Sequence, residues 1–242
     1  MKRVQFEHSA VPYLFIAPQI IIIVIFFLWP AAQAIYQSFL LEDAFGLSSQ
    51  FVWFRNYADT IFNPSWLQAA GFTIIFSTLV TFLSLAIALL LAVKANEVIH
   101  GASTYKTLLM WAYAIAPPVA GLMGNLMFNP LIGDLYQGMN ALGFDFDHKL
   151  DPVDAGFVVI LISVWKQVSV NFIFFLSGLQ GIPNSVKEAA TMDCDSSFRR
   201  FWTITFPLLA PTTFFLMVIN ITYAFFETFG IIDTTTQGAP GG

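Results

Sequence analysis

The chain has 242 residues, of which 57% are hydrophobic and only 10% are charged. Soluble domains contain about 25% charged residues, so this composition excludes an ordinary soluble protein and indicates a lipid environment. The net charge of −5 says little about partners, because charge in a membrane protein acts through its location. Cys194 is the single cysteine, so no disulfide can form within the chain.

Five apolar runs are long enough to cross a bilayer as helices. A hydrocarbon core about 30 Å thick needs about 20 apolar residues, and backbone groups in lipid must be satisfied within a helix. The sequence therefore predicts an all-α, polytopic membrane helix bundle. The first run exceeds the apolar region of a signal peptide and four others follow it, which favours a span over the alternative of a cleaved leader. The predicted spans are 11–38, 70–93, 107–128, 156–180 and 206–229.

The positions of Lys and Arg predict the orientation of the bundle. With the N-terminus inside, the outer segments hold only Arg55 and Lys149. This bias follows the positive-inside rule, so residues 1–10 are predicted to be cytoplasmic and residues 39–69 to form an outer loop. The inner segments hold Lys2, Arg3, Lys94, Lys106, Lys187, Arg199 and Arg200.

A charged segment, residues 181–205, separates the last two predicted spans. Pro183 ends the fourth helix, and Ser185 followed by Glu188 is a capping-box pattern that predicts a new short helix. Asp193, Cys194 and Asp195 then break that helix, and a second one is predicted from about Ser197 to Ile204. Pro207 and Pro211 should bend the entry into the fifth span. From the residues alone, a solvated loop and a docking element both remain open.

Polar residues within the spans are candidates for a translocation path. Lys166 lies near the middle of the fourth span, where a cation would suit a phosphate or would pair with a neighbouring helix. The fifth span carries one polar stripe, at spacing i, i+3 and i+7, which interhelical hydrogen bonding explains equally well. In the third span, Pro117 and Pro118 predict a kink. The candidate residues are Lys166, Gln167, Asn171, Asn220, Tyr223 and Glu227.

No residues for catalysis are evident. The sequence lacks a G-x-x-x-x-G-K-[ST] loop for nucleotide phosphates, so the chain is predicted not to be an enzyme. His8, His100 and His148 lie in different segments, which predicts no metal site. No cofactor in this chain and no nucleic-acid partner are expected.

The charged segment resembles the signature loop of permease subunits of bacterial ABC importers. The family pattern is E-A-A-x-x-x-G-x9-I-x-L-P. This chain matches it with Glu188-Ala189-Ala190, with Ile204 and with Pro207, while Cys194 stands in place of the Gly and Phe206 in place of the Leu. The resemblance implies a loop that docks in a cleft of a cytoplasmic ATPase and couples its motion to the membrane. It assigns this role to Ser185, Glu188, Ala189, Ala190, Asp193, Cys194, Ile204 and Pro207.

Further segments, including Trp29-Pro30-Ala31 and Val164-Trp165-Lys166-Gln167, resemble the sugar-type, maltose-permease-like class and its glycerol-3-phosphate permeases. This resemblance implies a type I importer permease fold with a permease core over 70–242. Five of its six expected spans are present, so the chain is expected to be truncated before the last helix.

The same resemblance implies a bacterial inner-membrane location and ATP-driven import of sn-glycerol-3-phosphate. The implied partners are a second permease subunit, an ATPase dimer that binds ATP and Mg, and a periplasmic substrate-binding protein. The alternatives are a permease for another sugar, oligosaccharide or polyol, a secondary transporter, or an inactive truncated subunit.

Overall fold

The computed structural model describes residues 11–43, 48–97, 102–193 and 195–238. The predicted cytoplasmic segment 1–10 lies outside these residues. A two-stranded antiparallel hairpin, β1 (Leu40–Glu42) with β2 (Ser49–Phe51), is the sheet structure of the described chain. The helices are α1 (Val11–Gln37), α2 (Arg55–Ile61), α3 (Pro64–Glu97), α4 (Ala102–Ala114), α5 (Pro117–Met127), α6 (Asp134–Ala141), α7 (Pro152–Gln180), α8 (Asn184–Asp193), α9 (Ser197–Leu208), α10 (Ala210–Phe226) and α11 (Phe229–Thr235).

Three of the described helices, α1, α3 and α7, are individually long and apolar enough to cross a membrane. Two bent pairs, α4 with α5 and α9 with α10, would raise the number of spans to five if each pair counts as one. The prediction of an all-α membrane bundle is confirmed by this helical architecture. The helix over the second apolar run, Pro64–Glu97, extends beyond 70–93 at both ends.

The third apolar run is two helices at an angle of 102° rather than one kinked helix. Pro117 and Pro118 lack the N–H groups that would bond to the carbonyl groups of the preceding turn. The helix therefore ends at Ala114 and a new one starts at Pro117. At 1.5 Å per residue, α4 and α5 are about 20 Å and 17 Å long, so each alone is shorter than the hydrocarbon core.

The fifth run also differs from the prediction of a helix over 206–229. Helix α10 ends at Phe226, with Glu227 as its C-cap, and the short helix α11 follows. Between α9 and α10 the axis bends by 69°. Pro211 has no N–H for the Pro207 carbonyl group, so the helical hydrogen bonding is interrupted at the bend, as the two prolines predicted.

The chain divides into two compact units, residues 1–68 and 69–242. In the described part of the first unit, the hairpin follows α1 and α2 packs against it. Leu40 pairs with Phe51 in the hairpin. The Asn56 amide nitrogen donates to the carbonyl oxygens of Ser38 and Leu40, at 3.0 and 2.9 Å. These bonds join α2 to the end of α1.

Helix α7 is the centre of the second unit. Its side chains Val158, Phe172 and Phe175 are fully buried, and α4, α5, α10 and α11 all pack against it. Because α7 is surrounded by other helices over much of its length, it can bury polar side chains as well as apolar ones.

Helices α5 and α11 approach each other at Gly121. A Cβ atom there would overlap the Thr234 hydroxyl and lie 2.7 Å from the Ile231 carbonyl oxygen. The Thr234 hydroxyl donates to the Pro118 carbonyl at 3.0 Å, and the Thr235 hydroxyl donates to the Gly121 carbonyl at 3.2 Å. The two short helices are therefore held together by side chain to backbone hydrogen bonds.

The segment between α6 and α7 contains a buried histidine, His148. His148 lies against Phe146 and Phe128, with ring centroids 6.2 and 6.4 Å away, and neither imidazole nitrogen has a protein partner among the described residues. Burial lowers the pKa of His148, and the nearby Lys149 lowers the pKa further. The carboxylates of Asp147 and Asp154 oppose this shift. The imidazole is consequently neutral at pH 7.

Acidification should destabilise this region through His148. Because its folded-state pKa lies below the ordinary value of 6.5, the unfolded chain takes up the proton first, and stability falls as the pH drops below 6.5. The contribution of one such group is at most about 1.4 kcal/mol per pH unit. We expect His148→Phe to show a smaller loss of thermal stability between pH 7 and pH 5 than the unsubstituted protein. Parallel pH curves for the two proteins would contradict this.

Candidate functional site

The segment predicted to couple to an ATPase contains helices α8 and α9. The Pro183 carbonyl accepts hydrogen bonds from the amides of Val186 and Lys187, at 3.1 and 3.3 Å, so the first turn already closes at Pro183. Ser185 therefore lies within α8, which begins at Asn184, and the predicted Ser185/Glu188 capping box is wrong. The helix itself is present where the sequence predicted one.

One face of α8 points away from the protein. Ser185, Glu188, Ala189 and Met192 are all exposed, and their spacing of i, i+3, i+4 and i+7 places them on one side of the helix. The Met192 side chain is 89% exposed. We call these four residues the outward face of α8.

The opposite face of α8 packs towards α9. Ala190 is buried, and together with Val186, Ile204 and Leu208 it lines a cavity of about 210 Å³ between the two helices. Ala190 and Ile204, both assigned to the coupling loop by the signature, thus line the same cavity from α8 and from α9. Pro207 is exposed in the last turn of α9.

Two further signature positions, Asp193 and Cys194, lie at the end of α8 and directly after it. Asp193 is the last residue of α8, and Cys194 lies outside the described residues. After the break, the Ser196 hydroxyl accepts a hydrogen bond from the Arg199 amide at 3.5 Å and caps α9. The sequence predicted the second helix but not this cap, although a Ser immediately before a helix is a recognised capping signal.

Two of the candidate translocation residues are engaged with each other. Asn171 on α7 and Asn220 on α10 are both fully buried, and the Asn220 amide nitrogen donates to the Asn171 carbonyl oxygen at 2.8 Å. Ser84 on α3 completes the group, donating to the Asn220 amide oxygen at 2.9 Å and accepting from the Asn171 amide nitrogen at 3.1 Å. We call these three residues the asparagine cluster. It agrees with the interhelical alternative for this part of the polar stripe.

Sequence reasoning missed Ser84. Ser77, Thr81 and Ser84 recur at i, i+4 and i+7 on α3, and all three side chains are buried in the structure. Such a stripe of small polar residues on an apolar helix indicates the face that meets other helices. This signal was available in the sequence.

Lys166 reaches the break in the third apolar run. Its side chain is 6% exposed, and its ammonium group donates a hydrogen bond to the carbonyl oxygen of Ile115, between α4 and α5. One turn further along α7, the Ser169 hydroxyl donates to the Leu109 carbonyl at 2.7 Å. Lys166 therefore binds a carbonyl group at a helix end, in agreement with the alternative that it pairs with a neighbouring helix.

The remaining candidates lie around Lys166. The hydroxyl groups of Tyr223 and Ser163 are close together and buried, and neither completes a hydrogen bond. Glu227 is exposed at the end of α10, and its carboxylate interacts electrostatically with Lys166. We call Ser163, Lys166, Tyr223 and Glu227 the helix-break cluster.

Gln167, the last of the candidates, is buried on α7 beside Lys166. Among the described residues, no group of three or more His, Cys, Asp and Glu side chains is placed to hold a metal ion.

Loss of the asparagine cluster should destabilise the bundle. Asn220→Leu removes interhelical hydrogen bonds, each contributing about 0.6 to 1.7 kcal/mol, and leaves the buried carbonyl oxygen of Asn171 without its donor. Thr222→Val is the control, because the Thr222 hydroxyl bonds only to the Val218 carbonyl of its own helix, at 2.9 Å. We expect a lower thermal unfolding temperature in detergent for Asn220→Leu than for Thr222→Val. Equal unfolding temperatures would contradict a stabilising role of the cluster.

Comparison with known proteins gives consistent matches. Residues 71–240 match the family described as "Binding-protein-dependent transport system inner membrane component". The sn-glycerol-3-phosphate transport system permease protein UgpA of Brucella suis is 49% identical over 240 residues, covering 99% of this chain and 82% of the relative. The protein of that name from Agrobacterium fabrum is 50% identical with the same coverage, and the one from Salmonella typhimurium is 43% identical over 98% of this chain and 81% of its own length.

Solved structures share the fold. A chain of the bacterial alginate ABC transporter, solved in complex with an alginate pentasaccharide-bound periplasmic protein, superimposes with a TM-score of 0.72. The match covers 93% of this chain and 78% of that chain at 22% sequence identity. At this identity the similarity extends to the fold alone.

Proposed function

The chain belongs to the family of binding-protein-dependent transport system inner membrane components, and we propose that it is a permease subunit for the ATP-driven import of sn-glycerol-3-phosphate. The observation that carries the proposal is 49 to 50% identity, over 99% of the chain, to permease proteins of the sn-glycerol-3-phosphate transport system. Reconstitution with the partner subunits, followed by measurement of ATP-dependent uptake of sn-glycerol-3-phosphate, is the direct test. Uptake driven by an ion gradient without ATP would overturn it.

We further propose that ATP hydrolysis takes place in a partner ATPase dimer, which binds ATP and Mg and docks on the outward face of α8. The small side chain of Ala189 allows close approach, while Glu188 offers a charge to the partner and Met192 an adaptable apolar contact. In the proposed assembly α8 and the N-terminus are cytoplasmic, as the positive-inside rule predicts. A second permease subunit and a periplasmic substrate-binding protein complete the proposed assembly.

A physical connection runs from the outward face to the membrane helices. Helices α8 and α9 line one cavity through Ala190 and Ile204, and α9 joins α10 at the bend beside Leu209, a fully buried residue. Helix α10 is bonded to α7 and α3 through the asparagine cluster. Movement of α8 by the ATPase would therefore be transmitted to three membrane helices.

The helix-break cluster is the proposed contact for the phosphate group of the cargo. The Lys166 ammonium has three donors, of which the Ile115 carbonyl accepts one. The unpaired hydroxyl groups of Tyr223 and Ser163 supply further donors nearby. Glu227 provides an acceptor suited to a cargo hydroxyl group. A dianion thus finds a cation and neutral donors within one region.

Reversal of the charge on the outward face should impair coupling. Glu188→Lys places a cation where the ATPase is proposed to dock, so we expect weaker complex assembly, or ATP hydrolysis without uptake, with normal membrane insertion. Asp145→Lys makes the same charge change at an exposed position remote in sequence from α8. Co-purification and uptake assays on both variants are the measurement. Normal coupling in Glu188→Lys would argue against the docking role.

Lys166→Gln should discriminate between cargoes. If Lys166 contacts the phosphate, transport of sn-glycerol-3-phosphate should fall more than transport of a neutral polyol carried by the same complex. Ser169→Ala is the matched control. The Ser169 hydroxyl also joins α7 to α4, by its hydrogen bond to the Leu109 carbonyl, but it carries no charge. For Ser169→Ala we expect equal losses of transport for both cargoes. The same result for Lys166→Gln would mean that Lys166 only stabilises the break between α4 and α5 and does not contact the phosphate.

A further inference from the structure

An aromatic group forms the core of the segment after the first span. The ring of Phe39 lies 6.1 Å from Phe51, 5.6 Å from Phe54 and 5.7 Å from Tyr57, between ring centroids. Trp53 packs edge-on against Phe51 at 4.9 Å. We call these five residues the aromatic module. They combine the hairpin and α2 into one small packed element.

Polar bonds fix the aromatic module to the end of α1. The hydroxyl groups of Tyr57 and Ser38 are hydrogen-bonded at 2.6 Å, and the Ser38 hydroxyl also lies 2.6 Å from the Ile35 carbonyl of α1. The two hydrogen bonds from Asn56 to the backbone of Ser38 and Leu40 hold α2 in the same place. The aromatic module is therefore attached directly to the end of α1 at Gln37. Among the described residues, α1 itself has no buried side chain.

Helix α2 has two chemically different sides. Phe54, Tyr57, Ala58 and Ile61 follow the spacing i, i+3, i+4 and i+7 and form an apolar side. The other side is polar and includes Arg55 and Asp59, which form an exposed ion pair at 3.7 Å.

Large apolar surface remains uncovered on this element. Trp53 is 68% exposed, Phe62 is 80% exposed and Phe54 is exposed as well. The backbone of Trp53 has a φ of 54°, a left-handed conformation that costs a bulky residue about 1 to 2 kcal/mol. Glycine would adopt it without that cost. The indole is thus held outward at the expense of local stability, which indicates a use for its exposed position.

We propose that the aromatic module and α2 lie in the interfacial layer of the bilayer, with the apolar side at the boundary between headgroups and acyl chains. The chain leaves one apolar span at Gln37 and enters the next at Pro64, so both ends of this segment are at the membrane surface. Trp and Tyr rings favour that layer because they are apolar with one polar group. The Arg55–Asp59 pair then faces water, as in other interfacial amphipathic helices. The inference is independent of the cargo.

Site-directed spin labelling of the whole chain tests this position. In a Cys194→Ser background, Ile61→Cys places a nitroxide on the apolar side at an exposed residue outside the aromatic module, and Asp59→Cys places one on the polar side as the matched control. After reconstitution in liposomes, power saturation compares collision with oxygen, which concentrates in lipid, and with a water-soluble nickel chelate. We expect a several-fold higher oxygen-to-nickel collision ratio at position 61 than at position 59.

Two results would overturn the proposal. Equal, high nickel accessibility at both positions would place the apolar side in water. Protection of position 61 from both reagents, appearing only when partner proteins are added, would identify a protein docking surface instead. Trp53→Phe provides an independent measurement, because it should reduce the fluorescence quenched by lipids brominated near the headgroup. Unchanged quenching would also contradict the interfacial position.

Discussion

Water is absent from the interior of a bilayer, so a buried polar group there must find its partner within the protein. In the second unit of the chain, the asparagine cluster satisfies this constraint by hydrogen bonds that join α3, α7 and α10. Asn171 and Asn220 are fully buried and bond to each other and to Ser84, and the Asn220 amide nitrogen also donates to the Leu216 carbonyl of its own helix. Helices α3, α7 and α10 are thereby held in one register. Apolar packing alone discriminates registers weakly in lipid, because lipid tails are as apolar as the side chains that they replace.

The same constraint explains the surroundings of Lys166. Two prolines deprive the third apolar run of backbone donors, and the ammonium group of Lys166 supplies a donor to the Ile115 carbonyl at the break. Beyond the break, α5 is bonded to α11 through threonine hydroxyl groups. Buried polar atoms that stay unpaired, on Ser163 and Tyr223, lie beside this arrangement. A region with both a cation and free donors is chemically suited to an anionic cargo.

The coupling loop and the intramembrane clusters are parts of one mechanical path in the proposed function. The outward face of α8 is exposed, while its opposite face, with the buried residue Ala190, lines a cavity together with residues of α9. The bend between α9 and α10 lies at a buried leucine, so α9 is connected to the bundle rather than free in solution. A permease of the binding-protein-dependent family needs such a connection, because its own sequence contains no nucleotide-binding loop.

The sequence by itself determined the membrane class, the long helices, the two proline breaks and the family. These are local properties: a run of apolar residues, a missing N–H group or a signature at fixed spacing is visible without knowing what lies opposite. It also indicated Asn171, Asn220 and Lys166 as polar residues with partners, but not which partners. Ser84 and Asn220 are 136 residues apart in the chain. Only the tertiary structure decided that they meet, that Lys166 bonds to Ile115, and that the third run bends by 102°. Each of these depends on the packing of distant helices, which sets the partner of a buried polar group and the angle at a break.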